Sequence, residues 1–165
     1  MRYAATLDDN SKIITNLVII LTLVILCRQI TDISQDAVFT SLLLFILIPA
    51  IVIAGCLSPR YYKIEADAIL IKRPLFPITI LLDDVVRLRS ITEEELGTSL
   101  RMMGIGGVFG YLGTYWSAEI GKYQRWSTNR ESLVLIESQN RKWVISPSDA
   151  DHFVRNVNKM INVAI

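Results

Sequence analysis

Lys122 to Ile161 reads KYQRWSTNRESLVLIESQNRKWVISPSDADHFVRNVNKMI, three strand-like runs followed by a helix-like one. Lys122–Ser127, Ser132–Glu137 and Arg141–Ser146 are short runs rich in β-branched and aromatic residues, the composition of strands. Asn129-Arg130 and Gln139-Asn140 supply turn chemistry between them. Ser146-Pro147-Ser148-Asp149 then reads as a helix start, with Ser146 as N-cap and Pro147 in the first helical position. Phe153, Val157, Met160, Ile161 and Ala164 follow at the spacing of one helical face, and His152, Arg155 and Lys159 fall off it.

Upstream the alternating pattern continues. Tyr61–Ala66, Ala68–Arg73, Pro77–Leu82 and Val85–Ile91 read as four more strands, with Asp67 in a tight turn and Pro74 and Pro77 bracketing the next connection. Seven strands followed by one helix fit a pleckstrin-homology-like barrel capped by the helix, and equally other small barrels or sandwiches.

Ahead of Ser58-Pro59-Arg60 the composition changes abruptly. Ile13–Cys27 and Ala37–Leu57 contain no formal charge. A run of about 20 apolar residues crosses a ~30 Å hydrocarbon core. Lys12 and Arg28 can snorkel from the ends of the shorter first run. No small-residue cleavage pattern follows it, so a transmembrane helix is preferred to a signal peptide. Basic residues flank the pair at Arg2, Lys12, Arg60, Lys63, Lys72 and Arg73, whereas the connection holds Arg28 with Asp32 and Asp36. The positive-inside rule therefore places both termini in the cytoplasm of a multi-pass protein of the inner membrane. The chain divides into a tail and helical hairpin over 1–57 and a cytoplasmic domain over 58–165. The three-residue link between them, roughly 10–13 Å when extended, keeps that domain against the leaflet.

Pro49 inside the second span frees the Phe45 carbonyl. Asn16 lies at a similar depth, and its amide either serves that carbonyl or sits among headgroups one turn past Lys12. Cys27 and Cys56 fall at opposite ends of the hairpin, too far apart for a disulfide.

Composition agrees with a membrane protein. Of 165 residues, 52% are apolar and 20% charged, against about 25% charged in a typical soluble domain. Seventeen basic and sixteen acidic residues leave a net charge of +1, which lacks the footprint of a nucleic-acid binder. Two cysteines and one histidine provide no metal-ligand spacing.

Arg101 to Gly121, RMMGIGGVFGYLGTYWSAEIG, holds six of the eight glycines. It is no phosphate cradle. The dinucleotide pattern fails at Phe109, and a P-loop fails at Trp116 and Tyr123. Packing is the better reading: glycines allow sharp turns and close backbone approach, and the interleaved aromatics bury or lie at a membrane interface. Gly104, Gly107, Phe109, Gly110, Tyr111, Gly113, Tyr115 and Trp116 form the expected docking loop, facing lipid, the hairpin or a partner.

The string RMMGIGGVFGYLGTYWSAEIGKYQRWSTN, followed by SLVLIES and RKWVISPSDADHF, resembles the bacterial PH-domain family of small membrane-anchored proteins, over about Tyr61 to Met160. The motifs carrying the resemblance are Arg101 with Gly104, the glycines at 107, 110 and 113, the Ser127-Thr128-Asn129-Arg130 turn and Ile145-Ser146-Pro147. The resemblance implies a PH-like fold, and with the apolar runs and strand pattern above the expectation is an α+β protein in which a transmembrane hairpin precedes a PH-like seven-stranded barrel with a C-terminal capping helix. The resemblance implies no catalysis, and no cofactor is expected.

The expected function is a membrane-anchored binding or scaffolding module, with the bilayer and a protein as partners and a homo-oligomer left open. Lys72, Arg73, Arg87 and Arg89 are the candidate phosphoinositide cluster, but Asp83 and Asp84 sit among them and a solvated face is the simpler reading. The alternative is a membrane-embedded enzyme. Its only candidate acid–base groups are Glu93-Glu94-Glu95 and His152, which have no evident partners, and no nucleophile elbow is present.

Overall fold

The computed structural model describes residues 1–31 and 37–163. Asp32 and Asp36 of the helix connection, and Ala164, lie outside the described residues.

Two long helices, α1 (Asp9–Thr31) and α2 (Ala37–Leu57), are each long and apolar enough to cross a membrane. Their apolar side chains are largely uncovered, with Phe39 71% and Phe45 76% exposed, a surface suited to lipid rather than water. α1 begins a turn earlier than the apolar run because Asp8 caps it. Asp8 Oδ1 accepts from Ser11 N at 2.8 Å, and the Asp8 carbonyl from Lys12 N at 3.0 Å. Gln29 Nε2 donates to Ser41 Oγ at 3.0 Å, joining the end of α1 to the start of α2, so the helices run antiparallel. α2 continues through Pro49. Asn16 is exposed and its amide makes no hydrogen bond among the described residues, so it does not serve the Phe45 carbonyl.

The expected seven-stranded barrel is corrected: among the described residues there are ten strands in two sheets, without closure. The first sheet has the order β1 (Arg2–Ala4), β2 (Tyr61–Ile64), β3 (Ala68–Lys72) and β4 (Ile78–Leu81), all antiparallel. The second has six strands: β5 (Val85–Ile91), β6 (Leu100–Gly106), β7 (Tyr111–Ser117), β8 (Gly121–Ser127), β9 (Leu133–Ser138) and β10 (Lys142–Ile145). Its order is β5-β9-β10-β8-β7-β6, with β8 and β10 parallel and the other pairs antiparallel. The three added strands are β1, from the N-terminal tail, and β6 and β7, from the glycine-rich segment.

β1 crosses a long sequence distance to reach its partner, pairing Tyr3 with Tyr62. Tyr3 is buried edge-on against Phe153, and its hydroxyl contacts His152 Nδ1 at 3.0 Å and accepts from Asn156 Nδ2 at 2.7 Å. The tail is thereby fastened to the last helix, α4 (Ala150–Val163). Phe153 and Val157 of α4 are fully buried in the core that unites both sheets, with Tyr62, Ile69, Ile71 and Ile136. Burying each such side chain contributes roughly 1.5–3 kcal/mol.

The expected N-cap at Ser146 is also corrected. Asp149 caps α4, its Oδ1 accepting from His152 N at 2.8 Å. Ser146 is buried instead, its Oγ accepting from Thr128 N at 2.7 Å and its N donating to the Tyr62 hydroxyl at 3.3 Å. Tyr62 also donates to the Trp126 carbonyl at 2.8 Å. Burial pushes the Tyr62 phenol up to about 12, against smaller opposing contributions from Ser146 and Thr128.

Candidate functional site

The glycine-rich segment is a β-hairpin rather than a loop. β6 and β7 place Gly104 directly opposite Gly113, next to a bulge between Arg101 and Met103. Both glycines have φ near +130°, and a Cβ on either would lie about 2 Å from a carbonyl oxygen of the other strand, Leu112 for Gly104 and Met103 for Gly113. Only glycine fits both the dihedral and the approach.

The hairpin tip, 107–110, closes through Gly107 N to the Gly110 carbonyl at 2.9 Å. It lies between the start of α1 and the end of α2. Phe109 N donates to Thr15 Oγ1 at 2.9 Å, and the Phe109 carbonyl accepts from Ser58 Oγ at 2.7 Å. The Phe109 ring covers Gly55, and Gly107 faces Ile14 closely enough that a Cβ would come within 2.9 Å of it. Phe109 takes a left-handed φ of 55° to do this, a strained conformation for a bulky residue. Gly110 approaches the Ser127 carbonyl, where a Cβ would meet oxygen at 2.6 Å.

Of the other aromatics, Tyr111 and Tyr115 face into the domain. Tyr111 is buried, and its hydroxyl donates to Asp8 Oδ2 at 3.4 Å. The guanidinium of Arg125 lies 4.8 Å and that of Arg130 4.5 Å from its ring centre. Tyr115 is buried, stacks on Tyr123 and donates to the Ile105 carbonyl at 3.2 Å. Burial holds the Tyr115 phenol above its ordinary range, while Arg125 and Arg101 pull it down. Trp116 alone of the four is exposed, alongside Leu100, Met102 and Met103 of the edge strand β6.

Sequence reasoning passed over Arg125, Thr15 and Ser58. Arg125 is 2% exposed and grips Glu93 with both arms, at 2.9 and 2.6 Å, while its Nε donates to Ser127 Oγ at 2.8 Å. Burial works against its charge, but the bonds and charge of Glu93 outweigh that, and the guanidinium is held above its ordinary range. The signal was present in the alternation Tyr123, Arg125, Ser127, which puts Arg125 on the inward face of β8. Thr15 and Ser58 were visible only as hydroxyls at the ends of apolar runs.

The acid–base candidates serve structure. Glu93–Glu95 open the short helix α3 (Glu93–Leu96), capped by Thr92, and Glu95 pairs with Arg89 at 2.5 Å. His152 is bound to Tyr3. Among the described residues no group of three or more His, Cys, Asp or Glu could hold a metal ion.

No curated protein and no solved structure matches the chain. The family model described as a bacterial PH domain matches residues 60–161, the two sheets and α4 apart from β1. The chain therefore belongs to the bacterial PH-domain family.

Proposed function

We propose that this protein is a non-catalytic binding or scaffolding module of the inner membrane, with α1 and α2 spanning the bilayer and both termini cytoplasmic. The PH-like domain is held in one orientation against the inner leaflet, and a protein or lipid is its partner. One observation carries this reading. Through the Phe109 backbone, the tip of the glycine-rich hairpin is bonded to Thr15 of α1 and to Ser58, the residue that follows α2. A flexible tether needs no such joint; a domain that presents one face at a fixed height does. In this arrangement Gly104, Gly107, Gly110 and Gly113 shape the joint, Phe109 fills it, Tyr111 and Tyr115 brace it from the domain, and Trp116 remains for a partner. The cations at Arg2, Lys12, Arg60, Lys63 and Lys72 flank the helix ends on the domain side, which supports the orientation.

Thiol labelling in intact cells tests the arrangement. With Cys27 and Cys56 replaced by serine, the Ile33→Cys variant should react with a membrane-impermeant reagent and the Arg130→Cys variant should react only after lysis. The reverse pattern would reject the orientation.

A further inference from the structure

The turn between β3 and β4 carries two exposed apolar side chains that the docking hairpin does not use. It runs Pro74-Leu75-Phe76-Pro77, with Leu75 45% and Phe76 71% exposed. Its depth is fixed. Leu75 N donates to the Cys56 carbonyl at 3.1 Å, in the last turn of α2. A helix the length of α2 covers about 30 Å, the thickness of the hydrocarbon core. Leu75, one hydrogen bond from its last turn, therefore shares the level at which hydrocarbon meets headgroups.

The turn is built to hold that pose. Phe76 adopts a left-handed φ of 51°, which costs energy for a bulky residue and persists only where its surroundings enforce it. Arg73 enforces it. Arg73 is buried, its guanidinium lies over the Trp126 ring at 4.3 Å, and its Nε and Nη2 both donate to the Phe76 carbonyl, Nε at 2.9 Å. The two phenylalanines with positive φ thus lie in the two turns that meet the helix ends. The Phe109 ring lies against Gly55 and is partly buried, whereas Phe76 is open. Beside the turn, Arg60 N donates to the Lys72 carbonyl at 2.8 Å. Both side chains are exposed, and neither makes an ion pair among the described residues.

We propose that this turn is a second membrane contact: Leu75 and Phe76 insert at the boundary between acyl chains and headgroups, and Arg60 and Lys72 engage the phosphates of anionic phospholipid. Val52 and Ile53, one turn before Cys56 on α2, are exposed as well. The cations match the charge of an anionic leaflet, near which each basic residue gains attraction. The proposal rests on the reading that α1 and α2 span the bilayer.

Spin-label accessibility on the full chain in lipid nanodiscs tests it. Single labels at Phe76→Cys, Leu75→Cys, Phe45→Cys and Met103→Cys are compared, with Cys27 and Cys56 replaced by serine. In phosphatidylcholine mixed with phosphatidylglycerol, labels at 75 and 76 should have a several-fold higher ratio of oxygen to water-soluble nickel-chelate collisions than the label at 103. A ratio at 75 and 76 equal to that at 103, with the label at 45 deep in lipid, would overturn the insertion. A label at 45 open to the nickel chelate would instead overturn the spanning reading beneath it. In phosphatidylcholine alone the label at 76 should shift toward water, and Arg60→Gln with Lys72→Gln should abolish the difference between the two lipids. No difference between the lipids in the unaltered background would overturn the phosphate contact.

Discussion

Phe109 N and Thr15 Oγ1 are bonded at 2.9 Å across 94 residues of chain. One atom belongs to the tip of a β-hairpin, the other to the first turns of an apolar helix. With Ser58 on the Phe109 carbonyl, the bond makes the glycine-rich hairpin a bracket between domain and helices. The glycines belong to the bracket, since two strands this close cannot carry side chains at 104 and 113.

Alanine at Gly104 or Gly113 should therefore destabilise the protein by about 3 kcal/mol, at the upper end of the range for strain and overpacking. Gly121 also has a positive φ, but a Cβ there meets nothing within 4 Å. Gly121→Ala should cost only about 1 kcal/mol of backbone strain. Thermal unfolding of the detergent-solubilised protein separates the two; equal losses would remove the close-approach argument.

The Arg125–Glu93 pair should respond asymmetrically. Glu93→Gln strands a guanidinium that is 2% exposed, whereas Arg125→Met leaves a carboxylate that water already reaches. The first should cost about 2 kcal/mol or more and the second less. Denaturant unfolding midpoints give the order, and a larger loss for Arg125→Met would contradict the view that the buried charge dominates.

Tyr62 makes stability fall at alkaline pH. Its phenol is raised from 10.0 to about 12 by burial, so above pH 10 the unfolded chain gives up this proton while the folded chain keeps it. The contribution is fully present below pH 10 and is lost as pH rises to 12, a fall of about 2–3 kcal/mol. Tyr62→Phe should flatten the decline of the unfolding midpoint across that window; an unchanged decline would assign it to other groups.

Removal of residues 1–59 should leave strands but not a stable domain. The truncation deletes β1, exposes β2 as an edge and strips Tyr3 from Phe153. Circular dichroism and size exclusion of residues 60–165 should show a strand-dominated, self-associating product. A monomer as stable as the full chain would show that β1 contributes nothing.

Much of this architecture was legible in the sequence. Two uncharged apolar runs announced α1 and α2, and Val85–Ile91 was bounded correctly by its alternation. The exceptions have physical causes. Arg2–Ala4 is too short for any periodicity and becomes a strand only because the edge of β2 accepts it. Gly104, Gly106 and Gly113 have low strand propensity, so β6 and β7 read as a loop; the pairing that forms them needs their missing side chains. Ser146 has a capping hydroxyl, but Thr128 and Tyr62 occupy it, and the cap passes to Asp149. The sequence singles out the glycine-rich segment as a group, yet it could not tell that Tyr111 and Tyr115 face inward. That depends on β8 beside them and on Arg125 beneath.

The hairpin tip is locked to the helices, and amide hydrogen exchange at Phe109 measures that lock. In the wild-type protein in lipid nanodiscs this amide should exchange slowly. Thr15→Val, which removes the acceptor and keeps the shape, should speed exchange at Phe109 by an order of magnitude or more, corresponding to about 1.4 kcal/mol, while amides of Val134 and Val144 stay unchanged. Fast exchange at Phe109 in the wild type, or slow exchange that Thr15→Val does not alter, would contradict the lock.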